Sequence, residues 1–179
     1  MNDILEIDAI DRRIISILQS DSSKSIQTIA EQVNLTVNPC WRRIKRLEEA
    51  GVLGKRTVKL NHVKLGLGIT AFIMLKTDQH SADWLAQFTR AVKQVPEIIE
   101  CHRMTGSVDY LLKVLVRDLS HHDQVYQRLI GLVPNLVDVS STFSMENLKP
   151  DAIVESSTYG PERPKKNGSR WELTPPTTV

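Results

Sequence analysis

Two observations predict an α+β chain of two domains. Residues 8–51 place apolar side chains at helical spacings in three short blocks, and from about residue 61 short apolar runs alternate with two longer helical blocks. Three helices and a hairpin followed by the order β-α-β-β-α-β describe an N-terminal winged helix-turn-helix and a ferredoxin-like βαββαβ domain. The expected boundaries are 1–60 for the first domain, 61–67 for a linker, 68–147 for the second domain and 148–179 for a C-terminal tail, disordered in part.

In the first block Asp8 precedes Ile10, Ile14, Ile17 and Leu18, a capping residue ahead of one apolar face. The polar run SDSSKS interrupts it. Ser25 opens a second block with Ile26, Ile29, Ala30 and Val33 on one side, and Asn34 supplies a residue tolerant of the left-handed turn that ends a helix. Thr36 opens the third block, where Pro39 falls in the first turn and Gly51 closes the C-terminal end. The second and third blocks are joined by Asn34-Leu35-Thr36 alone, the short connection of a helix-turn-helix. Next, GVLGKRTVKLN sets Val58 and Leu60 alternating against Thr57 and Lys59 around a Gly54-Lys55 turn, which predicts a small hairpin, the wing.

The second domain begins with the apolar strand ITAFIMLKT at 69–77. Ser81 caps a helix over 82–95 with Leu85, Phe88, Val92 and Val95 inward, and EIIECHRMT (97–105) and DYLLKVLVR (109–117) form two strands around the loop GSV. Ser120 with Asp123 reads as a capping box opening a helix with Val125, Leu129 and Val133 inward, and a last strand covers 136–145. Two helices cover one face of such a sheet. Phe72 and Met74 leave the other apolar as well, which predicts that a second copy of the chain covers it. After Pro150, prolines, glycines and charges without periodicity predict disorder, with Trp171 the only large anchor.

Composition restricts the function classes. A 41% hydrophobic and 25% charged chain with no long apolar run is an ordinary globular one, without a membrane span, and the acidic start MNDILEIDAIDRR is unlike a secretion signal; a cytoplasmic location is expected. Cys40 and Cys101 fall in different predicted domains, so each is expected to be a small buried hydrophobe and not half of a disulfide. Net charge is +2, with 10 Lys and Arg against 8 Asp and Glu in residues 1–60, so any electrostatic role must come from local clustering.

TVNPCWRRIKRLEEAG at 36–51 is such a cluster. At about 100° per residue, Val37, Cys40, Ile44 and Leu47 share an arc that predicts a core face, with Arg42, Arg43, Lys45 and Arg46 opposite and Trp41 at the boundary. A solvated amphipathic helix with a Lys45-Glu49 ion pair would look similar. The charge order argues otherwise: the four bases, at 42–46, precede Glu48 and Glu49, which leaves the acids nearest the C-terminal end, against the helix dipole. A recognition helix explains that order, since its N-terminal half meets phosphates and base edges.

AIDRRIISILQSD, IAEQVNLT, PCWRRIKRLEEAGVL, LG before an apolar strand, and TGSVDYLLKV together resemble the Lrp/AsnC, or feast/famine, regulators over residues 4–147. The resemblance implies a sequence-specific transcriptional regulator of double-stranded DNA whose assembly or DNA affinity is modulated by a small-molecule effector, an amino acid or a relative of one. It also implies a homodimer that assembles further, to an octamer. DNA contacts are then expected from Thr36, Asn38, Arg42, Arg43, Lys45 and Arg46. The effector is expected at Thr105, Gly106, Ser107, Val108, Asp109 and Tyr110, where glycine permits close approach and a carboxylate can pair with an ammonium group. Many relatives begin the third helix with Ser-Pro-Thr where this chain has Thr36-Val37-Asn38, so its base preference is expected to differ; Val108 stands where an aromatic is common. NLTVNPCWRRIKRLEEAGVL with TAFIMLKT looks most like a branch linked to cysteine sensing.

Catalysis is not expected. Cys101-His102 and His121-His122 are adjacent pairs without a third ligand at useful spacing, no Gly-rich phosphate loop follows a strand, and no nucleophile lies beside an evident base, so neither metal nor cofactor is predicted. The competing reading is an amino-acid-binding module that regulates a partner protein and not DNA.

Overall fold

In a computed structural model of the chain, residues 5–149 and 153–155 are described. The expected tail and its anchor Trp171 lie outside the described residues, apart from 148–149 and 153–155. The described residues divide into two compact units, 5–57 with 153–155, and 58–149.

The first unit holds α1 (Ala9–Ser20), α2 (Ile26–Gln32) and α3 (Val37–Glu49). At the start of α1 the Asp11 N–H donates to Asp8 at 2.8 Å and the Asp8 N–H donates back to Asp11 at 3.2 Å, so two orphan donors are satisfied reciprocally. Ser25 accepts from the Thr28 N–H to start α2, and Asn34 follows it at φ 56°. Thr36 takes the N-cap position of α3, although its hydroxyl makes no capping bond. At the other end Gly51 adopts φ 71°, with the Gly51 N–H on the Glu48 carbonyl and the Val52 N–H on the Leu47 carbonyl, an exit a β-carbon would strain. Ile14, Ile15, Leu18, Ile29, Ala30, Val33, Cys40, Ile44 and Leu47 form the core between the three helices. Residues 153–155 belong to this unit: the Gln19 side-chain amide donates to the Val154 carbonyl at 3.2 Å, and its carbonyl accepts from the Val154 N–H at 2.9 Å.

Two expectations are corrected here. Val37, assigned from the wheel to the core, is 45% exposed. It is the first residue of α3, and since helical side chains lean toward the N-terminus it has no preceding turn to lie on. The hairpin around Gly54-Lys55 is also absent, residues 54–61 carrying no strand. Val58 and Leu60 are 84% and 66% exposed, and a two-stranded ribbon with no apolar surface beneath it is marginal.

The second unit is an antiparallel four-stranded sheet of β1 (Ile69–Thr77), β2 (Ile98–Arg103), β3 (Tyr110–Val116) and β4 (Leu136–Phe143) in the order β2-β3-β1-β4, with α4 (Ala82–Lys93) and α5 (Leu119–Leu132) as crossovers. This is the expected split βαβ arrangement. Ala71, Ile73, Leu75, Leu112, Val114 and Val116 point at the helices and are buried with Phe88, Val125 and Leu129. Trp84 joins them, its ring stacked 5.2 Å from Phe88 and its Nε1–H donating to the Pro134 carbonyl at 3.0 Å. The expected capping box at Ser120-Asp123 is not the one used: α5 starts two residues earlier, with Asp118 accepting from the His121 N–H at 2.8 Å. A carboxylate is the better-charged acceptor for a helix N-terminus. On the opposite sheet face Phe72, Met74, Leu111 and Leu115 are half-buried.

Candidate nucleic-acid interface and effector loop

The basic residues of α3 divide into two kinds. Asp11 is wholly buried, and its two oxygens accept from Arg43, at 2.8 Å, and from Arg46. Arg43 also reaches Asp8, at 2.7 Å. The guanidiniums of Arg43 and Arg46 thus fasten α3 to the first turn of α1. Arg42 stands beside them in an open cleft of 390 Å³ lined by Asp8, Pro39, Arg42, Arg43 and Arg46, and makes no hydrogen bond or ion pair among the described residues. Lys45 reaches Glu49 at 3.8 Å, and its ammonium stands 5.0 Å above the Trp41 ring.

Burial decides which way α3 faces. Cys40, Ile44 and Leu47 point into the unit, while Val37, Asn38, Trp41, Arg42 and Lys45 are all exposed. Those five positions step as i, i+1, i+4, i+5 and i+8, one continuous stripe over the first two turns. Of the six residues expected to meet DNA, Asn38, Arg42 and Lys45 lie on the stripe, Thr36 is exposed immediately before it, and Arg43 and Arg46 lie on the flank toward α1. Val37 and Trp41, which share the stripe, were not among the six. Their spacing is the signal that identifies them, and it is masked by their apolar character.

The α1–α3 network has an acid limit. Partial burial pushes the Asp8 carboxyl up, but hydrogen bonds from the Asp11 N–H and Arg43, with the charge of Arg43, hold it below its ordinary 3.8. Arg43 is pushed up by its hydrogen bond to Asp8. A folded-state value below the unfolded one means that Asp8 contributes its stability above the unfolded value, and that contribution is lost as pH falls through the folded one. Asp8→Asn is therefore expected to flatten the fall in melting temperature below about pH 4; an unchanged acid limb would remove Asp8 as its source.

The loop between β2 and β3 is built around Asp109. Its N–H donates to the Leu75 carbonyl at 2.9 Å, its carbonyl accepts from the Met104 N–H at 2.8 Å, and one carboxylate oxygen accepts from the Thr77 N–H at 2.9 Å. The second carboxylate oxygen has no partner among the described residues. Gly106 adopts φ 114°, open to glycine alone in practice, and Thr105, Gly106 and Ser107 are exposed. Val108 and Asp109 are half-buried. Tyr110 is separate from them: it is 5% exposed, its ring 4.3 Å from Phe88 and 5.8 Å from Trp84, so it belongs to the core and not to the loop surface.

Cys40 is buried in the first unit as expected, where burial pushes its thiol up despite the nearby charge of Arg43, whereas Cys101, also expected to be buried, is exposed on the edge strand β2. Among the described residues no group of three His, Cys, Asp or Glu side chains is placed to hold a metal ion, and no helix is long and apolar enough to cross a membrane.

Comparison with known proteins agrees with this division of the chain. Residues 7–53 match the winged helix-turn-helix DNA-binding family and residues 70–154 the Lrp/AsnC ligand binding domain. The DNA-binding transcriptional activator DecR of Escherichia coli is 46% identical over 143 residues, spanning 80% of this chain and 94% of that protein. The glutamate uptake regulatory protein of Zymomonas mobilis is 42% identical over 151 residues, spanning 84% and 92%. Among solved structures, an AsnC family transcriptional regulator from Agrobacterium tumefaciens superposes with a TM-score of 0.78 at 41% identity, covering 83% of this chain and 96% of that one. A transcriptional regulator from Neisseria meningitidis in complex with L-Met gives 0.76 at 27% identity, covering 82% and 94%.

Proposed function

Because the chain belongs to the Lrp/AsnC family of transcriptional regulators, we propose that a homodimer of it reads an imperfect DNA palindrome and that an amino acid held at residues 105–109 tunes that reading. The observation that carries the reading is the exposed stripe of α3. Arg43 and Arg46 are engaged internally, whereas Arg42 and Asn38 face solvent with no partner among the described residues, one a cation for phosphate or guanine and the other an amide suited to adenine. The exposed Thr36 hydroxyl, free of any capping bond, supports a phosphate contact. Arg43 and Arg46 contribute by setting the pose of α3. In a two-fold dimer the two recognition helices meet successive major grooves about 34–36 Å apart, which is why the site is expected to be palindromic. The half-buried apolar face of Phe72, Met74, Leu111 and Leu115 supports the dimer, and further association to an octamer is the assembly state the effector would bias.

The free oxygen of Asp109 supports an ammonium-bearing effector, with Gly106 allowing backbone approach. Resemblance to the cysteine-sensing branch makes L-cysteine the first amino acid to test, ahead of L-glutamate and L-methionine. Whatever the effector, it changes DNA affinity only as far as it binds the assembly states differently. The role is regulatory, and chemistry on the amino acid is no part of it.

The test is binding of the full chain to a duplex from its own upstream region as salt is raised. Log affinity is expected to fall steeply and linearly with log salt, and Arg42→Ala to reduce the slope by about 1 if Arg42 meets a phosphate. No binding at low salt would overturn the reading in favour of an amino-acid-binding module acting on a partner protein.

A further inference from the structure

We propose that Val37 and Trp41 recognise the 5-methyl groups of thymines in the major groove, as an apolar specificity element beside Asn38 and Arg42. The inference rests on the DNA-binding reading above. Its first support is position. Val37 and Trp41 are each 45% exposed, one turn apart on the same outward stripe as Asn38 and Arg42, so any groove that receives those polar side chains also receives the apolar pair. Neither belongs to the core cluster that takes Cys40, Ile44 and Leu47 from the same helix.

The second support is charge. The Lys45 ammonium lies 5.0 Å from the Trp41 ring centroid, and Arg42 follows Trp41 directly, so the apolar pair is bordered by cations. That border suits an apolar spot lined by phosphates and disfavours a wholly apolar protein surface, which would have to desolvate the ammonium. On the major-groove edges of the four base pairs the thymine methyl is the group that offers apolar contact. Four residues of helix rise about 6 Å, close to two base-pair steps of about 3.4 Å, so the two side chains can meet methyls on base pairs two steps apart. Thr36-Val37-Asn38 at the start of α3 thereby becomes a reading head with one polar and one apolar tooth in its first turn.

The experiment removes only the methyl. A duplex enriched from a random-sequence library by the full chain is resynthesised with deoxyuridine replacing each thymidine of the half-sites in turn, and affinities are measured for the wild type, Val37→Ala, Trp41→Ala and Trp41→Leu. Loss of one buried methyl is expected to weaken wild-type binding about fourfold at each contacted thymine, equivalent to about 0.8 kcal/mol. The penalty should vanish at one position in Val37→Ala and at another in Trp41→Ala, with Trp41→Leu retaining part of it. Both side chains are half exposed, so the variants are expected to fold, which thermal melts of each would check. Equal wild-type affinity for every uracil-substituted duplex would overturn methyl reading while leaving DNA reading intact. A penalty that persists unchanged in all three variants would overturn the assignment to these two side chains. Enrichment of no sequence at all would overturn the DNA reading on which both rest.

Discussion

Asp11→Ala is expected to destabilise the N-terminal unit by about 2–3 kcal/mol, the scale for removing a buried partner of charged hydrogen bonds. The carboxylate is wholly buried and accepts from Arg43, Arg46 and the Asp8 N–H, so its loss removes two of the three charged links between α3 and the start of α1, leaving Arg43–Asp8, and one half of the α1 cap. Arg43 and Arg46 are 28% and 46% exposed and can turn toward water, which keeps the cost below that of a fully enclosed pair. Denaturant unfolding followed by far-UV circular dichroism measures the change. DNA affinity should fall with it, because a loosened α3 no longer holds Asn38, Arg42 and Lys45 in one pose. Arg42→Ala is the control: it should leave stability within about 0.5 kcal/mol while weakening DNA binding, as befits a surface group. Wild-type stability in Asp11→Ala would return Arg43 and Arg46 to the list of direct DNA contacts.

Asp109→Ala is expected to cost about 1–3 kcal/mol in the sheet unit and to abolish the amino-acid response. The stability term arises because the Thr77 N–H loses its acceptor at the part-buried end of β1, where Thr77 itself is 5% exposed. Asp109→Asn separates the two roles. An asparagine carbonyl can still accept from Thr77, so the loop should keep its shape and the dimer its DNA affinity, but no negative charge remains for an ammonium group. The measurement is DNA affinity with and without L-cysteine, L-glutamate and L-methionine, beside a thermal melt. A wild-type response in Asp109→Asn would move the effector away from the 105–109 loop; a wild-type melt in Asp109→Ala would show that the Thr77 bond carries no net weight.

The elements were legible in order because each depends on neighbours in the chain. Helical and strand periods placed five helices and four strands, and the βαββαβ order followed from them with its sheet topology. Where elements were misjudged, the local pattern was ambiguous. Asp118 and Ser120 are both acceptable caps, and only the bond to the His121 N–H discriminates between them. GVLGKRTVKLN alternates as a hairpin does, but alternation is decisive only when one face has something to bury against. In α3 the wheel separated Cys40, Ile44 and Leu47 correctly and included Val37, since a wheel has no ends and Val37 lies at one.

The functional surface was legible as a basic helix and no further. Arg42, Arg43 and Arg46 are equivalent by composition and spacing, yet the carboxylates that distinguish them lie 32 to 35 residues earlier, on α1. The effector loop repeats the pattern: Gly106 and Asp109 are visible as turn residues, while the Thr77 N–H that occupies one Asp109 oxygen is 32 residues away, and Tyr110 is withdrawn by Trp84 and Phe88. By itself, then, the sequence determined the periods, the caps at Asp8, Ser25 and Ser81, and the family, because backbone donors and apolar stripes are satisfied within a few residues of where they arise. Which charges remain free for a ligand was decided only by the tertiary structure, because a guanidinium or carboxylate is neutralised by whatever folding brings within about 4 Å, at any distance along the chain.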